Sequence, residues 1–186
     1  WLYDCLDKNE TAVEIDSATG GTSEYIITNS NGIYSAGSSV LRYASFKNEK
    51  NGEYSDVLTL GNTANIVYFP EKDILIAVAS DGRLVSVNKG VAKGITDAVT
   101  EGSLSEVDNT DNGITYIRNA VLYYANVSSL REMVMSEAGS NVSTSGTLMY
   151  KNRLFYCNDK GSLCSCTVSG KDDKIIGEVD NFWLGK

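Results

Sequence analysis

The chain has 186 residues, a hydrophobic share of 42 % and a formal net charge of −8. That apolar content supports a packed core and sets the chain apart from the disordered class, and the acidity lacks the basic footprint that nucleic acid or an anionic membrane surface requires. There is no histidine, which excludes a Ser-His-Asp triad, a histidine base and a histidine metal ligand within these residues, and no run approaches the roughly 18 apolar residues of a membrane span.

Taken in order, the chain opens with WLYDCL (1–6), DKNE and TAVEI (11–15), which read as two strands and a turn. From residue 24 a unit of four strands recurs. Strand a reads EYIIT at 24–28, NIVYF at 65–69, GITYI at 113–117 and TLMY at 147–150. After a short polar break, strand b reads GIYSA, ILIAVA, VLYYA and LFYC. A turn of GSS, SDG, NVSS or NDKG follows, rich in the residues that tight hairpins favour. Strand c then reads LRYASF, LVSVN, LREMVM and LCSCTV, alternating apolar and polar as a half-buried strand does. Strand d is YSDVLTLG at 54–61 and ITDAVTEG at 95–102, two octapeptides of similar type.

Aligned on the leucine that opens strand c, Leu2, Leu41, Leu84, Leu130 and Leu163 fall at intervals of 39, 43, 46 and 33 residues, by subtraction. A period near 40 signals a solenoid, propeller or array. Two stretches dissent. Ser129 and Glu132 fit a helix capping box, with Leu130, Met133 and Val134 on one helical face. Residues 91–99 also fit a short helix, weakened by Gly94. The repeat register favours strands at both.

Four antiparallel strands per repeat is the grammar of a propeller blade, whose faces are buried only by its neighbours. Four and a half repeats disfavour a three-repeat trefoil, and a Greek-key sandwich needs no period. The expectation is a single all-β propeller domain over residues 1–186, of about five blades. Residues 1–15 and 181–186 would together form a composite blade and cover two sheet edges. The alternative is a fragment of a longer propeller.

Asn31-Gly32-Ile33-Tyr34, the AVLYY at 120–124 and Asp81-Gly82-Arg83-Leu84 carry a resemblance. They resemble the irregular propeller repeats of uncharacterised Gram-positive surface or secreted proteins, distant relatives of the YWTD propellers of lipoprotein-receptor type. YWTD itself does not occur. The resemblance implies a propeller, an extracellular or cell-surface location and a binding role. It implies no functional residue, because that family has no agreed activity. A WD-repeat match is poorer, since neither G-H nor W-D occurs.

The enzymatic alternative is a glycan-active propeller, which needs two or three carboxylates around a channel. Asp4, Asp56, Asp97 and Glu132 are the candidates by register, against the simpler reading that Asp56 and Asp97 bond backbone at strand ends. Neither Ser80-Asp81-Gly82 nor residues 158–161 has the spacing or tryptophan of a sialidase-type aspartate box. Calcium is conceivable at Asp108, Asn109, Asp111 and Asn112, although the twelve-residue loop with a terminal glutamate is missing. Asn9, Asn126 and Asn141 open glycosylation-type tripeptides. Tyr34, Tyr43, Tyr123, Tyr124 and Tyr156 lie in strands b and c, where packing with a satisfied hydroxyl is the usual fate and a sugar or peptide platform the sharper one. Among Cys5, Cys157, Cys164 and Cys166, buried free thiols are expected, with a cross-strand Cys157–Cys164 bridge as the alternative. No catalytic, metal or cofactor-binding residue is assigned. The functional expectation is a non-catalytic binding or scaffold module engaging a protein or glycan, without nucleic acid or a membrane span.

Overall fold

The computed structural model describes residues 25–28, 31–37, 39–45, 54–61, 66–107, 113–119, 121–127, 131–134, 147–158, 160–167 and 174–178. These form sixteen strands and one 3-10 turn, with no α-helix among them. Four sheets of four antiparallel strands follow one another along the chain. Blade 1 holds β1 (Tyr25–Thr28), β2 (Gly32–Gly37), β3 (Val40–Ser45) and β4 (Ser55–Thr59). Blade 2 holds β5 (Ile66–Phe69), β6 (Ile74–Val78), β7 (Arg83–Asn88) and β8 (Val91–Ala98). Blade 3 holds β9 (Ser105–Glu106), β10 (Gly113–Arg118), β11 (Val121–Asn126) and β12 (Arg131–Val134). Blade 4 holds β13 (Leu148–Tyr150), β14 (Arg153–Cys157), β15 (Ser162–Thr167) and β16 (Lys174–Glu178).

The two dissenting stretches are strands: Arg131–Val134 pairs with β11, and Val91–Ala98 pairs with β7. Each has a partner strand waiting beside it. The ladder bonds to that partner outweigh a local capping signal of about 1 kcal/mol. Residues 1–15 and 181–186, expected to form the composite blade, lie outside the described residues.

Strand b of blades 1, 2 and 3 is buried on both faces, and side-chain alternation divides the core into three seams. In β6, Leu75 and Ala77 pack against Tyr34, Ala36, Leu41 and Leu60 of blade 1. The intervening Ile76 and Val78 pack against Leu104, Ile114, Tyr116 and Ala125 of blade 3. In turn, Val107, Leu122 and Tyr124 of blade 3 meet Leu154, Tyr156, Cys164 and Cys166 of blade 4. A run such as ILIAV therefore reads as continuously apolar because it serves two seams.

Blade 3 corrects the repeat register. Its strand order makes β9 strand a, β10 strand b, β11 strand c and β12 strand d. GITYI, VLYYA and LREMVM, assigned above to a, b and c, each move one place outward. Hydrogen bonds support the shift: Gly61 N donates to Val78 O and Thr100 N to Ile117 O, so the chain leaving each d strand meets the end of the next b strand. Val78 pairs with Leu84 and Ile117 pairs with Leu122. Leu122, not Leu130, thus opens the third c strand. Counted on Leu41, Leu84, Leu122 and Leu163, the intervals become 43, 38 and 41 by subtraction. Strand a of blade 3 had escaped notice because only Ser105 and Glu106 form it.

The matched d octapeptides are not structurally equivalent either. Asp56 lies opposite Arg42. Asp97 falls between the Arg83–Ala98 and Leu84–Thr96 pairs, in a bulge. Strand d of blade 2 begins at Val91, four residues before its octapeptide by subtraction. Such bulges bend and twist an edge strand, which blunts it against pairing with other chains.

Candidate functional site on the turn face of blades 1 and 2

A polar network joining blades 1 and 2 lies where the seam between them reaches the a–b turns. Phe69 ends β5, and Pro70–Lys72 forms one 3-10 turn whose fixed proline φ suits its first position. The turn closes on Asp73, in the left-handed region at φ 53°, which donates its N–H to Pro70 O. That geometry directs the Asp73 carboxylate back across the seam. Asn31 Nδ2 of blade 1 donates to Oδ2 at 2.8 Å, and Tyr68 OH donates to Oδ1 at 3.3 Å. Asn88 Nδ2, at the end of strand c, donates to Asp73 O at 2.7 Å.

Beneath this network lies a tyrosine cluster. The Tyr34 and Tyr43 rings are 4.8 Å apart, and Tyr68 is 6.5 Å from Tyr34. Tyr43 OH donates to Asn31 O at 3.1 Å, and Gly90 N donates to Tyr34 OH at 3.4 Å. Burial pushes the Tyr34 phenol up to about 12, partly opposed by the Gly90 amide. Burial also raises Tyr43. Gly90 has φ +76°, and a Cβ there would lie 2.5 Å from the Tyr43 ring, so two constraints select glycine. The c–d hairpin is thereby clamped, and its tip projects Val91, 70 % exposed, between the exposed Lys89 and Lys93.

The chemistry available here is recognition. Both Asp73 carboxylate oxygens accept hydrogen bonds from side chains of the fold. The surface beside them offers apolar contact at Val91 and cationic groups on an acidic chain.

The other candidates are dispersed. Asp56 ion-pairs with Arg42 at 2.8 Å, its side chain 70 % exposed on an outer strand. Asp97 is exposed on the outer strand of blade 2. Glu132 lies on the outer strand of blade 3, opposite Ala125. Asp4 lies outside the described residues, as do the calcium candidates Asp108, Asn109, Asp111 and Asn112 and the tripeptide asparagines Asn9 and Asn141. Asn126 ends β11 opposite Gly113 and is half-buried. Asp81, in the b–c turn of blade 2, accepts from the Arg83 backbone and side chain, and both bonds hold its carboxyl below the usual range.

Four of the five singled-out tyrosines are buried, as packing predicted. The fifth, Tyr123, is half-buried, stacked on Tyr116 at 5.6 Å and covered by the Arg118 guanidinium at 4.4 Å. Arg118 also donates to Thr96 Oγ1 of blade 2. The cross-strand disulfide is not formed: Cys157, Cys164 and Cys166 are free thiols. Cys164 pairs with Tyr156, and Cys157 pairs with Leu163. The one-residue difference in register puts Cys157 and Cys164 on opposite faces. Cys5 lies outside the described residues.

The hub residues Asp73 and Asn31 were missed as a pair. PEKD did signal a turn, but nothing local says that its aspartate reaches 42 positions back along the chain.

No family model and no curated protein matches the chain. Among solved structures it is similar to a TolB-type protein from Agrobacterium tumefaciens, at 11 % identity and a TM-score of 0.51. That match covers 80 % of this chain and 58 % of the other. It is also similar to PorZ of Porphyromonas gingivalis, described as an essential bacterial surface component of the type-IX secretion system. There the identity is 11 % and the TM-score 0.51, over 83 % of this chain and 22 % of the other. Both neighbours are β-propellers. The fold is a β-propeller fold. At this identity the likeness concerns fold alone, and the chain spans just over half the length of the first neighbour and under a quarter of the second.

Proposed function

We propose that this chain is a non-catalytic binding or scaffold module of an exported or cell-surface protein, engaging a protein or glycan through the turn face of blades 1 and 2. The observation that carries the reading is the use made of the site's carboxylate. Asp73 is held by Asn31 and Tyr68 and joins two blades, while the apolar and cationic tip at Val91 and Lys89 is left to solvent. A glycosidase needs carboxylates converging on a substrate, whereas Asp56 and Asp97 sit exposed on the outer strands of successive blades. The repeat resemblance to surface and secreted propellers supports the location, and PorZ offers a surface protein of the same fold.

The test has two arms. Purified chain is incubated with a panel of chromogenic glycosides and, separately, applied to a glycan array and to cell-envelope protein fractions. No turnover is expected, together with binding that falls at least tenfold in Val91→Asp and Lys89→Glu. Turnover that collapses in Asp56→Asn or Asp97→Asn overturns the reading. Binding indifferent to both tip variants overturns the assignment of the face.

A further inference from the structure

Strand β8 divides into two unlike halves. In its second half the register shifts on both sides of Leu84, and Ile95 and Thr96 are half-buried. Val91, Ala92, Lys93 and Gly94 instead pair in unbroken register with Asn88, Val87, Ser86 and Val85, and all four are exposed. Because β8 ends its sheet, this half is a regular, open edge. Its backbone polarity follows from the turn. Lys89 and Gly90 both have positive φ, 49° and 76°, as a tight two-residue hairpin loop requires. A β-turn bonds its first residue to its fourth, here Asn88 to Val91. Ladder bonds alternate from that pair, so the Lys93 backbone also turns toward β7, where its carbonyl accepts from Ser86 Oγ. The N–H and C=O groups of Ala92 and Gly94 then point away from β7. The hairpin is fixed at its tip, since Asn88 donates to Asp73 O and Gly90 N donates to Tyr34 OH. An edge held in this way needs little ordering to accept another strand.

We infer that the first half of β8 accepts an extended acidic peptide segment of a partner protein as an added strand. This occupant deepens, and rests on, the binding role proposed for the turn face. Charge selects it first. Residues 89–94 carry Lys89 and Lys93 and no carboxylate, on a chain of net charge −8. A second copy of this edge would set lysine against lysine, and a basic strand is refused for the same reason, whereas an acidic strand is matched. Spacing selects a peptide over a glycan, because outward backbone groups two residues apart fit the repeat of another strand. The two sides of the ladder then set the pattern. Val91 and Lys93, opposite Asn88 and Ser86, fit an apolar and an acidic residue two positions apart. On the other side, opposite Val87 and Val85, are Ala92 and Gly94. A Cβ added to Gly94 meets nothing within 4 Å, which leaves room for a bulky partner side chain. The outer strand β16 also exposes apolar residues, Ile175 and Ile176, but a register shift opposite Leu163 and Cys164 interrupts it midway, and a bulged edge pairs poorly.

The probe is a display library of random peptides of about ten residues, long enough to span a strand, selected on the immobilised full chain. Sequences that alternate acidic residues with apolar or bulky ones should be enriched, and their binding should weaken as salt is raised. Binding of the selected peptides should fall about tenfold or more in Lys93→Glu, which reverses an exposed charge. Ala92→Pro tests strand addition itself. Proline is tolerated where the N–H of an edge strand faces outward, so the melting temperature should hold within about 2 °C. Peptide binding should nevertheless fall about tenfold, the size of one lost backbone hydrogen bond. If Ala92→Pro folds poorly, Lys93→Glu still decides. No enriched peptide, enrichment of basic peptides, or binding indifferent to Lys93→Glu or to a folded Ala92→Pro overturns the inference. The broader binding role is judged separately. If glycans or envelope proteins bind and respond to Val91→Asp while no peptide is selected, that role stands and strand addition is refuted.

Discussion

Seams 1 and 3 solve the same packing problem by different means. Seam 3 relies on volume: Leu122, Tyr124, Leu154, Tyr156, Cys164 and Cys166 interlock. Its polar content includes one buried contact between blades, Thr115 Oγ1 to Thr147 Oγ1 at 3.2 Å. Seam 1 relies on chain geometry as well. Its tyrosines are bulky and carry hydroxyls, and those hydroxyls are matched by turn backbone and turn side chains: Gly90 N, Asn31 O and Asp73. A seam whose hydroxyls are met by turns requires those turns in place, whereas in seam 3 the Tyr124 hydroxyl is met by Asn126 of its own strand. The turns ordered in this way are those that present Val91 and Lys89, so the packing of seam 1 and its recognition surface are one construction.

The largest effect should come from volume. Leu122→Ala is expected to cost about 3–5 kcal/mol in seam 3, lowering the melting temperature by roughly 10 °C. Gly90→Ala comes next, at about 3 kcal/mol, since it combines a left-handed backbone with an overlap on Tyr43. Gly94→Ala is its control. A Cβ there meets nothing within 4 Å, so stability should hold within about 0.5 kcal/mol. If Gly90→Ala is as silent as Gly94→Ala in thermal melts, the dependence of seam 1 on its turn is refuted.

The third prediction concerns alkaline pH. The Tyr34 phenol titrates higher folded, at about 12, than the ordinary value of 10.0, so the folded state favours its proton. Its contribution is fully present below pH 10 and is lost as pH rises from 10 through 12. Denaturant midpoints across that window should fall less steeply in Tyr34→Phe than in the parent. Equal slopes would show that Tyr34 ionises as freely folded as unfolded. The smallest effect is expected outside the seams. Arg42→Ala removes an ion pair whose aspartate is largely exposed, so urea titration should register no more than about 1 kcal/mol, diminishing with salt. A larger loss would make the outer strands contributors on the scale of a seam.

Most strands were legible because each carries its own signal. Apolar runs such as ILIAV, turn residues such as Asp81-Gly82 and the recurring leucine after a turn are local features, and they gave the repeat and its fold class. The blade boundaries were not legible in blade 3. Leu130 imitates the c-strand leucine well enough to conceal that Ser105 and Glu106 already form strand a. A two-residue strand has no periodicity to detect. The same limit hid the d-strand bulges, because the octapeptides match in residue type and not in ladder position.

By itself, then, the sequence determined the strands, the period near 40 and the absence of histidine chemistry, since each depends on residue type and spacing along the chain. Tertiary structure alone decided which face each strand turns to which neighbour. It separated Cys157 from Cys164, sent Ile76 to blade 3 and Leu75 to blade 1, and brought Asp73 to Asn31. The physical reason is common to all three. A one-residue change of register reverses a side chain's face, and register is set by ladder bonds, turns and bulges acting together across strands distant in sequence.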